Sequence, residues 1–144
     1  MISANEKIYL LLSSDTTLTD MLGLNAPFYD DTGTETRANS IVPADMVKRK
    51  LNTPFITIQE GSETKIGSNL KDESFFIRCY NDIRKSYVRV NEILDRVREL
   101  LDGADLELSD RVLVKVSFES RLPGLEEEGM ELKFKEERYR LQVL

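Results

Sequence analysis

The sequence predicts an α+β fold: a mainly antiparallel sheet of about four strands, one long helix packed across it and two short N-terminal helices. Three observations carry this. Between Asn81 and Asp102 apolar residues recur every three or four positions, the spacing of one helix face. Between Arg111 and Glu119 they alternate strictly, the period of a half-buried strand. Two β-rich blocks, Pro54–Glu60 and Ser74–Tyr80, precede the helix with only a polar stretch between them, which makes them antiparallel neighbours.

Ser3-Ala-Asn-Glu6 has the form of a capping box, in which the serine oxygen and the glutamate satisfy opposite N–H groups. With Ile8, Leu11 and Leu12 it opens a helix over about residues 3–13. Asp15 can cap a second short helix with Leu18, Met21 and Leu22 on its apolar side and Gly23 as its stop. Helices this short need a surface to dock on. From Asn25 to Thr53 the pattern dissolves into a polar, turn-rich connection. Only Ala44–Leu51 has helical character there, and surface placement is expected.

Phe55, Ile56 and Ile58 give the first strand, which proline can only begin or edge. Gly61–Asp72 reads as a loop. In the next strand Phe75, Ile77 and Cys79 share one face, and Phe76, Arg78 and Tyr80 the other. The long helix is expected from an Asn81 or Asp82 cap to Gly103, with Ile83, Tyr87, Val90, Ile93, Leu94, Val97, Leu100 and Leu101 inward. Proline at Val90 or Leu94 is expected to unfold the domain. Val112, Val114, Val116 and Phe118 form the apolar face of the next strand, and Ser120–Gly129 the loop of a long hairpin. In the last segment Met130, Leu132 and Phe134 are even-numbered, whereas Tyr139, Leu141 and Val143 are odd. A strand with one buried face cannot do this without a slip, so a β-bulge or break is expected within Lys135–Arg138.

The length of 144 residues and 40% apolar content fit a single domain spanning residues 1–144. A net charge of −6 argues against broad nucleic-acid binding, which needs basic residues in excess along one face. No apolar run approaches the roughly 20 residues of a membrane span, and no signal peptide is expected. One cysteine, Cys79, suits a reducing cytoplasm and is read as a small buried hydrophobe.

Histidine is absent, which removes the commonest general base and zinc ligand. The hydrolase elbow and the glycine-rich nucleotide loops are also missing. Asp30-Asp31 and Glu126-Glu127-Glu128 could hold Mg²⁺ or Ca²⁺ but match no calcium-loop pattern, and Lys48-Arg49-Lys50 could touch phosphate. Each of these charged runs reads first as a solvated surface. No enzymatic activity, metal or cofactor is expected. The remaining candidates are apolar side chains within polar stretches: Ile66 and Leu70 in Gly61–Asp72, and Leu122 and Leu125 beside Glu126, Glu127 and Glu128. They either fold back on the core or serve as contacts for another subunit.

The order of these blocks resembles the tail completion, or tail terminator, proteins of long-tailed bacteriophages. The resemblance rests on the N-terminal helical pair Ile2–Gly23, the proline-led strand Pro54-Phe55-Ile56-Thr57-Ile58 and the strand Phe75-Phe76-Ile77-Arg78-Cys79-Tyr80. It continues through the long helix to a closing hairpin ending Tyr139-Arg140-Leu141-Gln142-Val143-Leu144. It implies a structural virion protein that forms a ring, typically a hexamer, at the head-proximal end of the tail. The implied partners are further copies of the chain, the major tail-tube protein and the head connector protein, with DNA passing through without being gripped. By position, Gly61–Asp72 and Ser120–Gly129 would be the contact loops. Another head-tail component, such as a head-closure or neck protein, and a small peptide-binding adaptor using a strand edge remain alternative readings.

Overall fold

The computed structural model describes residues 4–23, 41–43, 53–66, 70–107 and 112–143. Asp30-Asp31, Lys48-Arg49-Lys50, Ser3 and the expected helical stretch Ala44–Leu51 lie outside them. The described elements are α1 (Ala4–Ser13), α2 (Thr16–Met21), β1 (Ile41–Pro43), β2 (Phe55–Ile66), β3 (Leu70–Asp82) and α3 (Val88–Leu101). They continue with β4 (Asp105–Glu107), β5 (Leu113–Arg121), β6 (Leu125–Glu127) and β7 (Leu132–Val143). The sheet runs β1-β2-β3-β7-β5-β4, with β6 also paired to β7. The four long strands are those expected from the sequence. The additions are three strands of three residues each, one of which, β1, pairs parallel to β2. β1 falls within Asn25–Thr53, where no strand was expected.

The N-terminal helices form as their sequence dictates. Asp15 accepts from the Leu18 N–H at 2.9 Å, and Gly23 ends the pair at φ 74°. Asp15 also receives two hydrogen bonds from Arg96 of α3, at 3.0 and 2.7 Å. This pairing holds its carboxyl below the usual range and pins α2 to α3. Ile8, Leu12, Leu18 and Leu22 are buried against the sheet and α3.

Paired residues on neighbouring strands share a sheet face, so the register assigns the described side chains. Ile56, Ile58, Phe75, Ile77, Cys79, Val114, Val116, Tyr139 and Leu141 point to the face that α1, α2 and α3 cover. Phe75 stacks on Tyr139 at 5.3 Å, with Phe118 edge-on to Tyr139 at 5.7 Å. Phe55, Tyr80, Leu132 and Phe134 point the other way and form a second, smaller cluster. There Tyr80 stacks on Phe55 at 4.9 Å and contacts Phe134 at 4.8 Å.

This two-faced burial corrects the reading of the last strand. β7 pairs with β3 in unbroken register from Asp72↔Gln142 to Asp82↔Leu132, so it carries no bulge in Lys135–Arg138. Its apolar phase changes because its first half buries residues on one face and its second half on the other. The crossover falls at Glu136 and Glu137, adjacent buried carboxylates on opposite faces, paired to Arg78 at 2.8 Å and Arg121 at 3.3 Å. The register shift lies instead in β5, between Phe118 and Ser120.

Three further expectations change. β3 continues through Asn81 and Asp82, so neither caps the helix; a turn intervenes and α3 starts at Val88. The inward side chains of α3 are Val90, Ile93, Leu94, Val97 and Leu101, whose burial is worth roughly 8–15 kcal/mol before chain entropy. Ile83 and Tyr87 precede it. Most of Gly61–Asp72 is not a loop, since β2 runs to Ile66 and β3 begins at Leu70. Ser120–Gly129 is likewise largely extended: Ser120 and Arg121 end β5, and Leu125–Glu127 form β6.

Candidate functional site

β5 and β6 lie end to end along one side of β7. Arg121 pairs with Glu137, the Leu122 N–H donates to the Glu136 carbonyl at 2.8 Å, and Leu125 resumes pairing opposite Phe134. Leu122-Pro123-Gly124 thus interrupts what would be one continuous strand. After β6 a 3-10 turn (Glu128–Met130) and Glu131, in the left-handed region at φ 55°, reverse the chain into β7.

The interruption is held by Tyr87, the residue at the N-terminal boundary of α3. Its ring lies against Gly124 so closely that a Cβ there would overlap it. Its hydroxyl donates to the Leu125 carbonyl at 3.4 Å, and Lys133 and Lys135 place ammonium groups 4.5 and 5.2 Å from the ring centroid. Burial and the nearby Glu126 carboxylate raise the phenol above its ordinary pKa. Gly124→Ala should push the ring off this seat and lower stability by about 1–2 kcal/mol. Thermal unfolding would measure this. The Tyr87→Ala/Gly124→Ala pair should cost less than the sum of the single changes, and full additivity would show that the two residues do not meet.

Three apolar side chains close to the clasp in the chain are exposed, and Leu125 shares the face of Phe134, opposite the face of Lys133 on which Tyr87 rests. Leu122 is 41% exposed, Leu125 52% and Val88, beside Tyr87, 62%. Glu126 and Glu128 are exposed and Glu127 half-buried. The sequence reading picked out Leu122, Leu125 and the three glutamates. It missed Tyr87, Val88 and Gly124, having assigned Tyr87 to the helix core. The Pro123-Gly124 pair was the available signal.

Ile66 and Leu70 pair with each other at the closed end of the β2–β3 hairpin; their side chains lie outside the described residues. Asp82, at the other end of β3, pairs with Leu132, which pairs with Glu127. At about 3.3 Å per residue the path along β3 from Leu70 is roughly 26 Å to Arg78, level with Glu136 and Leu122, and roughly 40 Å to Asp82, level with Glu127. The structure places them at opposite ends of the sheet rather than in one site.

Among the described residues no group of three Cys, Asp or Glu side chains is arranged to hold a metal ion, and no helix is long and apolar enough to cross a membrane. Cys79 is fully buried, and burial, with Glu137 nearby, raises its thiol far above the ordinary value.

No protein-family model matches the chain, and no curated protein matches it. Among solved structures, it is similar to a chain of the virion of a native gene transfer agent (GTA) particle. That likeness has a TM-score of 0.66 at 18% identity and covers 98% of this chain and 94% of the other. The two chains share a fold.

Proposed function

We propose that this chain is a structural component of a phage-like virion, and that it acts at the head-tail joint as a tail terminator. The observation that carries the reading is the end-to-end likeness in fold to a chain of a gene transfer agent virion. The likeness spans both chains almost completely, so it concerns the whole architecture rather than a common sheet-and-helix fragment. The order of elements resembles tail completion proteins independently of that likeness. The exposed leucines on either side of Pro123-Gly124 also fit a part that is finished only by assembly.

In this role the chain forms a closed ring, a hexamer, on the head-proximal end of the tail. It ends growth of the major tail-tube protein and offers the head connector protein a surface. Contacts at the two ends of the sheet would serve different neighbours: Leu122, Leu125, Glu126, Glu127 and Glu128 at one end, Ile66 and Leu70 at the other. A ring subunit requires such heterologous contacts on distinct patches. The chain works without catalysis, metal or cofactor, and outside any membrane. DNA passes through the ring, whose net negative charge disfavours a grip on phosphate.

Deleting the gene from its phage or prophage and imaging lysates by electron microscopy tests this. Filled heads beside separate or overlong tails are expected. Tails of normal length with heads that fail to close would point to a neck component, and normal virions would overturn the virion role.

A further inference from the structure

Beneath α3 lies a carboxyl group for which assembly offers no use. Glu137 is 0% exposed, yet it sits in the apolar layer between sheet and helix. Its Oε1 accepts from the Tyr139 hydroxyl at 3.2 Å, and its Oε2 faces Arg121 Nη2 of β5 at 3.3 Å. The same nitrogen donates to Asp95 Oδ1 of α3 at 2.7 Å. One guanidinium nitrogen is thus divided between a buried carboxyl on the sheet and an exposed carboxylate on the helix, and it sits nearer the helix.

The other ionisable groups facing Glu137 come from each element packed around it. Cys79 of β3 lies close enough for Glu137 to oppose its ionisation. Arg98 of α3 holds its guanidinium 3.9 Å over the Phe118 ring and attracts Glu137 only at a distance. On β7, Lys135 shares the same face but is drawn to Tyr87.

We propose that Glu137, Arg121 and Asp95 form a proton-operated latch between sheet and helix. With Glu137 protonated, Arg121 is committed to Asp95 and ties β5 to α3. With Glu137 ionised, Arg121 is drawn inward to the buried carboxylate and its hold on Asp95 weakens. The shorter distance to Asp95 corresponds to the first state. Loss of hydration outweighs the pull of Arg121 and pushes Glu137 up to about 7, so both states are populated near neutral pH.

A carboxyl whose pKa is raised by folding favours the folded state most when neutral. Its contribution is full below the ordinary value of 4.5. It is lost as pH rises toward about 7 and is level above that. Across this window the folding constant should fall on the order of 100-fold. Asp15, which is shifted the other way, acts only at lower pH, where stability is lost as its carboxylate is protonated.

Carboxyl-resolved NMR titration of the full chain, with stability measured against pH, tests the latch. Glu137 should titrate near pH 7 in the wild type. In Asp95→Asn, where Arg121 is no longer divided, its midpoint should fall by about one pH unit. Glu137→Gln should hold its stability level from pH 5 to 8 while the wild type declines. A Glu137 midpoint below 5 in the wild type, or one that Asp95→Asn leaves in place, overturns the latch. A wild-type pH slope retained in Glu137→Gln would do the same.

Discussion

Leu94→Pro should abolish the folded state, whereas Val90→Pro should leave a folded, weakened protein. The difference follows from where α3 begins. The first helical hydrogen bond at its start runs from the Asn91 N–H to the Tyr87 carbonyl at 2.8 Å. Val90 lies in the first turn, where a backbone N–H has no partner within the helix and proline removes nothing. What Val90→Pro loses is part of a buried side chain and some freedom at Arg89, which must stay helical before a proline. Together these cost about 1–3 kcal/mol. Leu94 stands in the middle of the helix, fully buried. Proline there deletes a hydrogen bond, clashes with the preceding turn for about 3 kcal/mol or more, and removes a core leucine for about 2–5 more. The sum reaches the whole stability of an ordinary domain. Circular dichroism with urea unfolding separates the two variants. Equal loss of structure in both would place the helix start upstream of Val88, as the sequence alone suggested.

That sequence reading erred at the start of α3 for a definable reason. Ile83 and Tyr87 continue the apolar spacing of the helix, and Asn81 and Asp82 are good caps, so local signals agree. What overrides them is β7, which pairs with β3 as far as Asp82↔Leu132 and holds Asn81 and Asp82 in the sheet. Residues about fifty positions downstream are invisible to a local pattern. The β7 phase change misled in the same way, since a slip of one residue has two causes: a bulge, or burial that changes faces. Choosing between them needs the Phe55–Tyr80–Phe134 cluster, whose members come from three strands. By contrast, the Asp15 cap, the Gly23 stop and the apolar alternation of β5 were legible, because each depends on neighbours within a few residues, and the burial of Cys79 followed from its sharing a strand face with Phe75 and Ile77. For the candidate surface, Leu122, Leu125 and the glutamates stood out as apolar and acidic residues in a supposed loop. Tyr87 could not be placed beside Gly124 from the sequence, because that contact spans α3 and two intervening strands.

The Leu122→Asp/Leu125→Asp variant should fold as the wild type does and fail to assemble. Both side chains are exposed in the free chain, about half of each meeting solvent, so replacing them shifts stability by less than about 1 kcal/mol. In a contact with a second subunit the same carboxylates would be stripped of water next to Glu126 and Glu128, with like charges adjoining. Uncompensated burial of this kind costs several kcal/mol per contact. In the ring proposed above, that loss would be repeated at every interface, because each copy would present the same patch. Leu10→Asp is the matched control: Leu10 is 52% exposed, as is Leu125, but lies on a different element, α1. Complementation of the deleted gene, scored as joined particles, should succeed with Leu10→Asp and fail with the double variant, while both proteins show wild-type unfolding curves. If Leu10→Asp fails equally, assembly is sensitive to added charge in general and the clasp surface has no special part in it. If the double variant complements fully, the contacts that build the particle lie elsewhere on the fold, and the far end of the β2–β3 hairpin becomes the surface to vary.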